Sequence, residues 1–101
     1  MRTAFISGPY RAETPFKISE NIHRASVVAL KYWRLGYAVI CPHRNTALFD
    51  GEAPDSVWLE GDLELLSRCD VVVMMKGWTN SVGARKECAE AISQGKEVFY
   101  E

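Results

Sequence analysis

The chain has 101 residues, 12 Lys and Arg against 13 Asp and Glu, a net charge of −1 and 48% hydrophobic residues. That balance fits one soluble globular domain, residues 1–101, with enough apolar side chains for a single core. It offers no basic run for a nucleic-acid polymer or an anionic membrane and no apolar stretch of membrane-spanning length, and "MRTAFISGPY" is too short and interrupted for a signal peptide.

In chain order, "RTAFIS" (Arg2–Ser7) is a short apolar run stopped by Gly8-Pro9, which predicts a first strand. From Phe16 to Leu35 the spacing becomes helical, with Ile18, Ile22, Ala25, Ala29 and Trp33 on one face and Gly36 at the end. "YAVIC" (Tyr37–Cys41) predicts a second strand, closed by Pro42. "PHRNTALFDGEAP" is rich in turn residues and reads as a loop with room for one helical turn. A second helix runs from Pro54-Asp55 to Arg68 and carries Leu59, Leu63 and Leu66. "DVVVMM" (Asp70–Met75) has the near-continuous apolar character of a strand buried on both faces. "KGWTN" is a loop, "SVGARKECAEAISQ" a third helix with Gly95 after it, and "EVFY" the last strand.

This β-α-β-α-β-α-β order predicts an α/β fold: a compact doubly wound parallel sheet of about four strands with helices on both faces, in the flavodoxin and Rossmann manner. Such sheets place ligands beyond the C-terminal ends of their strands. Three loops are therefore expected to converge, residues 8–15, 42–54 and 76–81.

Two acids fall near that convergence. At roughly 100° per residue, with Ala84 set to zero, Cys88 and Ala91 lie within about 40° and Glu87 about 60° to one side, while Lys86 points to solvent. With Leu59 at zero in the second helix, Asp62 is also about 60° off an apolar stripe. The residues four positions on are Leu66 and Ala91, so neither acid has a basic helical partner there. Half-exposed boundary acids and working groups of an active site both fit this pattern.

"SGPYR" (Ser7–Arg11) combines Gly8, the hydroxyls of Ser7 and Tyr10 and the guanidinium of Arg11, the makings of a phosphate or carboxylate cradle or of an ordinary Gly-Pro turn. It is neither a Walker A loop nor a GxGxxG turn. Ser81 stands at the N-cap of the third helix, as a cap or as part of an anion site. His43 is a candidate ligand contact; with two histidines and no ligand spacing, no metal site is expected. Asp70 reads as structural. Trp58 and Trp78 fit either a cover for a base-sized ligand or core packing. Cys41, Cys69 and Cys88 lack CxxC spacing and read as buried thiols of a reducing, cytoplasmic compartment.

Taken together, "FISGPYR", "DLELLSRCDVVVMM" and "NSVGARKECAEA" resemble the nucleoside 2-deoxyribosyltransferase-like superfamily, nearest in flavour to its small 2′-deoxynucleoside 5′-phosphate N-hydrolases and their short bacterial and phage relatives. The resemblance covers nearly the whole chain. Its most specific part is an acid eight residues before the Asp70 strand followed by the Ser81-to-Glu87 segment. It implies Glu87 as a nucleophile forming a glycosyl-enzyme ester, and Asp62 as the group assisting departure of the base. Gly8, Tyr10, Arg11 and Ser81, with Ser7 and His43 beside them, would bind a nucleotide, with no metal or organic cofactor and with a homodimer as the assembly. The favoured expectation is hydrolysis of the N-glycosidic bond of a (deoxy)nucleoside 5′-monophosphate. Base exchange between deoxynucleosides and a non-catalytic nucleotide-binding module are the alternatives. Two departures from the family pattern bear on this: Phe5 stands where the family usually carries tyrosine, with Tyr10 as a candidate substitute. The chain also ends at Tyr100-Glu101, which would shorten the residues that complete a neighbouring subunit's site.

Overall fold

Strand β3 (Val71–Met74) has no polar side because neither of its faces meets water; all four residues are buried. The structure, a computed structural model, describes residues 1–101 and builds the rest around that strand. Strand β1 (Thr3–Ser7) lies beside β3, with β2 (Ala38–Ile40) and β4 (Glu97–Tyr100) at the edges, in the order β2-β1-β3-β4, all parallel. Helix α1 (Pro15–Arg34) joins β1 to β2; α2 (Pro42–Asn45) and α3 (Asp55–Ser67) lead to β3. A 3₁₀ turn (Trp78–Asn80) and α4 (Val82–Ser93) then lead to β4. The α/β architecture expected from the sequence is thus present. No helix is long and apolar enough to cross a membrane.

The period-2 alternation of the two central strands divides the core in two. Ala4, Ile6, Val71, Val73 and Met75 face α1, which meets them with Ala25, Ala29 and Tyr32. Phe5, Val72 and Met74 face the other way, against Leu66 of α3 and Ala84, Cys88 and Ala91 of α4. Alanines on the buried helix stripes let both helix layers approach the sheet closely. Phe5 is fully buried in the second layer, so this position packs and supplies no hydroxyl to the cavity.

Two stripes differ from expectation. On α1 the last buried position is Tyr32, whose hydroxyl donates to Glu101 Oε2 at 3.0 Å while its ring stacks on Phe99. Trp33 is instead 53% exposed. Positions 32 and 33 are both about one or two turns from Ala25 and Ala29, and the polar partner at the chain's end decides between them. On α3, Leu59 is 40% exposed although Leu66 is fully buried, because the first turns of this helix extend past the strand ends and line a cavity there.

Capping follows the sequence. Thr14 Oγ1 accepts from the Lys17 N–H at 3.2 Å with Pro15 in the first turn of α1. Asp70 is structural, as read: its Oδ2 accepts from Thr3 N and Thr3 Oγ1, at 2.8 and 3.1 Å, and ties the starts of β1 and β3 together. The connection leaving β1 runs by α1 over one face towards β2, and the one leaving β3 runs by α4 over the other face towards β4. The crevice between the C-terminal ends of β1 and β3 is therefore a topological switch point.

Candidate functional site

At that switch point the structure has a cavity of about 460 Å³, within the usual range for a small-molecule site. Its lining comes from the three loops expected to converge, together with α3 and the start of α4. Gly8 makes the close approach at the end of β1. A Cβ there would lie 2.6 Å from Met75 Sδ and 2.7 Å from Met75 Cβ, so the residue is fixed by packing against the end of β3 as much as by any turn.

Glu87 sits in the second turn of α4 beside the buried Ala84, Cys88 and Ala91, where the helical wheel puts it. It is 9% exposed and lines the cavity. Ser7 Oγ donates to Glu87 Oε1 at 2.6 Å, and Oε2 has no protein partner. Burial pushes the Glu87 carboxyl up to about 7; the Ser7 hydrogen bond pulls it down and the charge of Asp62 pushes it up further. Asp62, from α3, lines the same cavity and is itself pushed up to about 6 by burial. The charge of either carboxyl opposes ionisation of the other, so the pair holds a proton more readily than two isolated acids would. The two carboxyls form a pair whose titration spans neutral pH.

Of the hydroxyls read from "SGPYR", Ser7 is fully buried and committed to Glu87. Its hydroxyl orients the acid, and Ser7 is not among the residues that line the cavity. Tyr10 lines the cavity, but its hydroxyl donates to Asp50 Oδ1 at 2.7 Å and accepts from Leu48 N at 3.3 Å. Burial and the Asp50 contact raise its pKa. Arg11 also lines the cavity, with Nη2 on Asp55 Oδ1 at 2.5 Å and Nη1 3.9 Å from Asp50 Oδ2. Ser81 caps α4 by accepting from Ala84 N at 3.2 Å and lines the cavity beside Val82 and Gly83.

His43, on α2, is 5% exposed. Its Nε2 lies 2.8 Å from the Pro9 carbonyl, which can only accept, so Nε2 carries the proton. Burial lowers its pKa, keeping the ring neutral, and Nδ1 is then a buried acceptor with no partner. Trp58 Nε1 is a buried donor, also without a partner. Both residues line the cavity, Trp58 under Phe49 with ring centroids 5.6 Å apart. Trp78 instead packs beside the second core layer and against Tyr100. Sequence reading did not single out Asp50 or Asp55; both lie in or beside a loop with no period, and only their spacing from Arg11 in three dimensions gives them a role.

The site thus has a buried carboxylate oriented by a hydroxyl, a second carboxyl of raised pKa, and a wall of His43 and Trp58 with one free acceptor and one free donor. The profile of a family described as a domain of unknown function, DUF4406, matches residues 4–100. No curated protein matches the chain. Among solved structures, a 2-deoxyribosyltransferase of Bacillus psychrosaccharolyticus, described as a biocatalyst for synthesis of antiviral and antitumoral nucleosides, superposes with a TM-score of 0.68 at 17% identity. That match covers 97% of this chain and 70% of the other. The 2-desoxiribosyltransferase of Leishmania mexicana gives 0.66 at 16% identity, covering 99% of this chain and 63% of its own, so the chain spans under two thirds of that protein.

Proposed function

For this chain, which belongs to the DUF4406 family and has the 2-deoxyribosyltransferase fold, we propose cleavage of the N-glycosidic bond of a (deoxy)nucleoside-type substrate with Glu87 as nucleophile. The observation that carries this reading is the Glu87 carboxyl, buried at the sheet's switch point with Ser7 on Oε1 and Oε2 left without a protein partner, in a cavity shared with Asp62. A nucleophile needs a lone pair aimed at carbon and a fixed torsion; the Ser7 bond supplies the second and leaves the first. Glu87 Oε2 attacks C1′ as the bond from C1′ to the base nitrogen breaks, and Asp62 delivers its proton to the departing base. The product is a glycosyl ester on Glu87 and an Asp62 carboxylate. Attack of water at C1′ breaks the ester bond to Glu87 Oε2, releasing the Glu87 carboxylate, and with one water proton passing to Asp62 completes hydrolysis. Attack of a second base completes transfer, the outcome named for both structural relatives. Raised carboxyl pKa values suit this exchange of one proton near neutrality.

The base lies, in this reading, against Trp58 and His43, whose unpartnered Nε1–H and Nδ1 would pair with its polar edge. A homodimer belongs to the same proposal; the open apolar groove of Leu30, Trp33, Ile40 and Leu65 is the surface that a second copy would cover. The test is chromatography of base released from a panel of deoxynucleosides, ribonucleosides and their 5′-monophosphates, followed by addition of a second free base. Release by the native chain and none by Glu87→Ala is expected, with a new nucleoside formed if transfer competes with water. No release from any substrate by the folded protein would overturn enzymatic cleavage and leave a binding module.

A further inference from the structure

Arg11 is the guanidinium that lines the cavity, and it is already engaged. Asp55 holds Nη2 at 2.5 Å, and Asp50 stands 3.9 Å from Nη1. Asp50 is itself fixed by the Tyr10 hydroxyl at 2.7 Å, so it is not free to swing away. Lys86, the other cation at the cavity, is exposed on the solvent side of α4. Against these two cations stand four lining carboxyls, Asp50, Asp55, Asp62 and Glu87.

From this geometry we propose that Asp50 and Asp55 set the charge of the substrate: by occupying Arg11 they make the site select a nucleoside with an uncharged 5′ end over the corresponding 5′-monophosphate. This rests on the nucleoside-cleaving reading given above. A phosphate entering the Arg11 corner has to displace Asp55 and then remain beside two carboxylates. A 5′-hydroxyl instead finds two acceptors, Asp50 and Asp55, at no electrostatic cost. Exposed ion pairs are individually weak, so the discrimination comes from two charges acting together, each contributing up to about fivefold.

The experiment uses Glu87→Gln as parent, so that ligands are bound and not consumed. Calorimetry measures binding of deoxyadenosine, deoxyguanosine, deoxycytidine and thymidine and of their 5′-monophosphates. The same titrations are repeated with Asp55→Asn and with Asp50→Asn/Asp55→Asn added, substitutions that keep the shape and, at position 50, an acceptor for Tyr10. Circular dichroism confirms each variant is folded. The parent is expected to bind its preferred nucleoside about tenfold or more tightly than the monophosphate. Asp55→Asn should improve monophosphate binding about fivefold, the double change more, while nucleoside binding does not improve because each Asn offers the 5′-hydroxyl only a neutral amide acceptor, and the gain should shrink at high salt. Equal or tighter binding of the monophosphate by the parent, or a ratio that neither variant moves, overturns the role of the two aspartates and leaves the nucleoside-cleaving reading standing. No binding of any ligand overturns both.

Discussion

Replacing Glu87 by Gln should make the protein more stable at alkaline pH and no different in acid. In the folded chain burial lifts this carboxyl from 4.5 to about 7, so the native state holds its proton more tightly than the unfolded chain does. The sign follows from proton linkage: the protonated group is undisturbed below its unfolded value. Stability is then lost as pH rises from about 4.5 towards 7, where the native state must accept a buried charge or give up its structure. At 1.36 kcal/mol per pH unit the displacement corresponds to roughly 3 kcal/mol above pH 8. Gln keeps the size and an acceptor for the Ser7 hydroxyl but never ionises. Urea unfolding of native and Glu87→Gln chains at pH 4, 6 and 8 should therefore show curves that coincide at pH 4 and separate progressively, with the variant about 2–3 kcal/mol more stable at pH 8. A variant that is equally stable or weaker at pH 8 would refute the claim that Glu87 is held in a desolvated site against its charge.

If the Asp62–Glu87 pair must carry one proton between them, kcat/KM for base release should be bell-shaped, with limbs near 6 and 7 set by their raised values; a profile flat from pH 5 to 8 would exclude that requirement. Ser7→Ala removes a hydrogen bond to the ionised carboxylate and should move the upper limb alkaline by about one to two pH units while lowering the maximum, measured on the same profile. Gly8→Ala should lose roughly 1–3 kcal/mol in urea unfolding because the added Cβ meets Met75 Cβ and Sδ, and pairing it with Met75→Ala should cost less than the sum of the two single changes. Leu48, exposed and at φ 63°, should give about 1 kcal/mol of added stability when changed to Asn, read as a higher melting temperature.

The element order was readable because each segment had a period of its own: "DVVVMM" admits no wet face, and Gly36 and Gly95, both at positive φ, mark the ends of two helices. Glu87 was placed beside the buried stripe by helical geometry alone, since α4 is regular through that turn. What pattern could not give was partnership. Ser7 looked like a hydroxyl of the "SGPYR" turn, yet as the last residue of β1 its side chain alternates to the Phe5 face and meets α4. Arg11 looked like a free cationic fork, and two aspartates already hold it, Asp50 from the aperiodic region after α2 and Asp55 at the start of α3. The Tyr32 and Trp33 exchange has the same cause. Helical spacing allows both, and a contact with Glu101, far along the chain, selects one.

The hydrogen bond from Ser7 to Glu87 joins residues 80 positions apart. Strand β1 is made first by the ribosome but occupies the interior of the sheet, so it must wait for β3 to be synthesised before its second edge is covered. A nascent chain that has passed α3 already holds Asp62 and the Arg11 corner but lacks Glu87. The Glu87 carboxyl becomes desolvated and oriented only when α4 docks against β1. On the proposed role of Glu87, chemistry at this site is withheld from incomplete chains, and in refolding the return of activity marks the docking of α4 on β1 across 80 residues, not the appearance of helix or sheet.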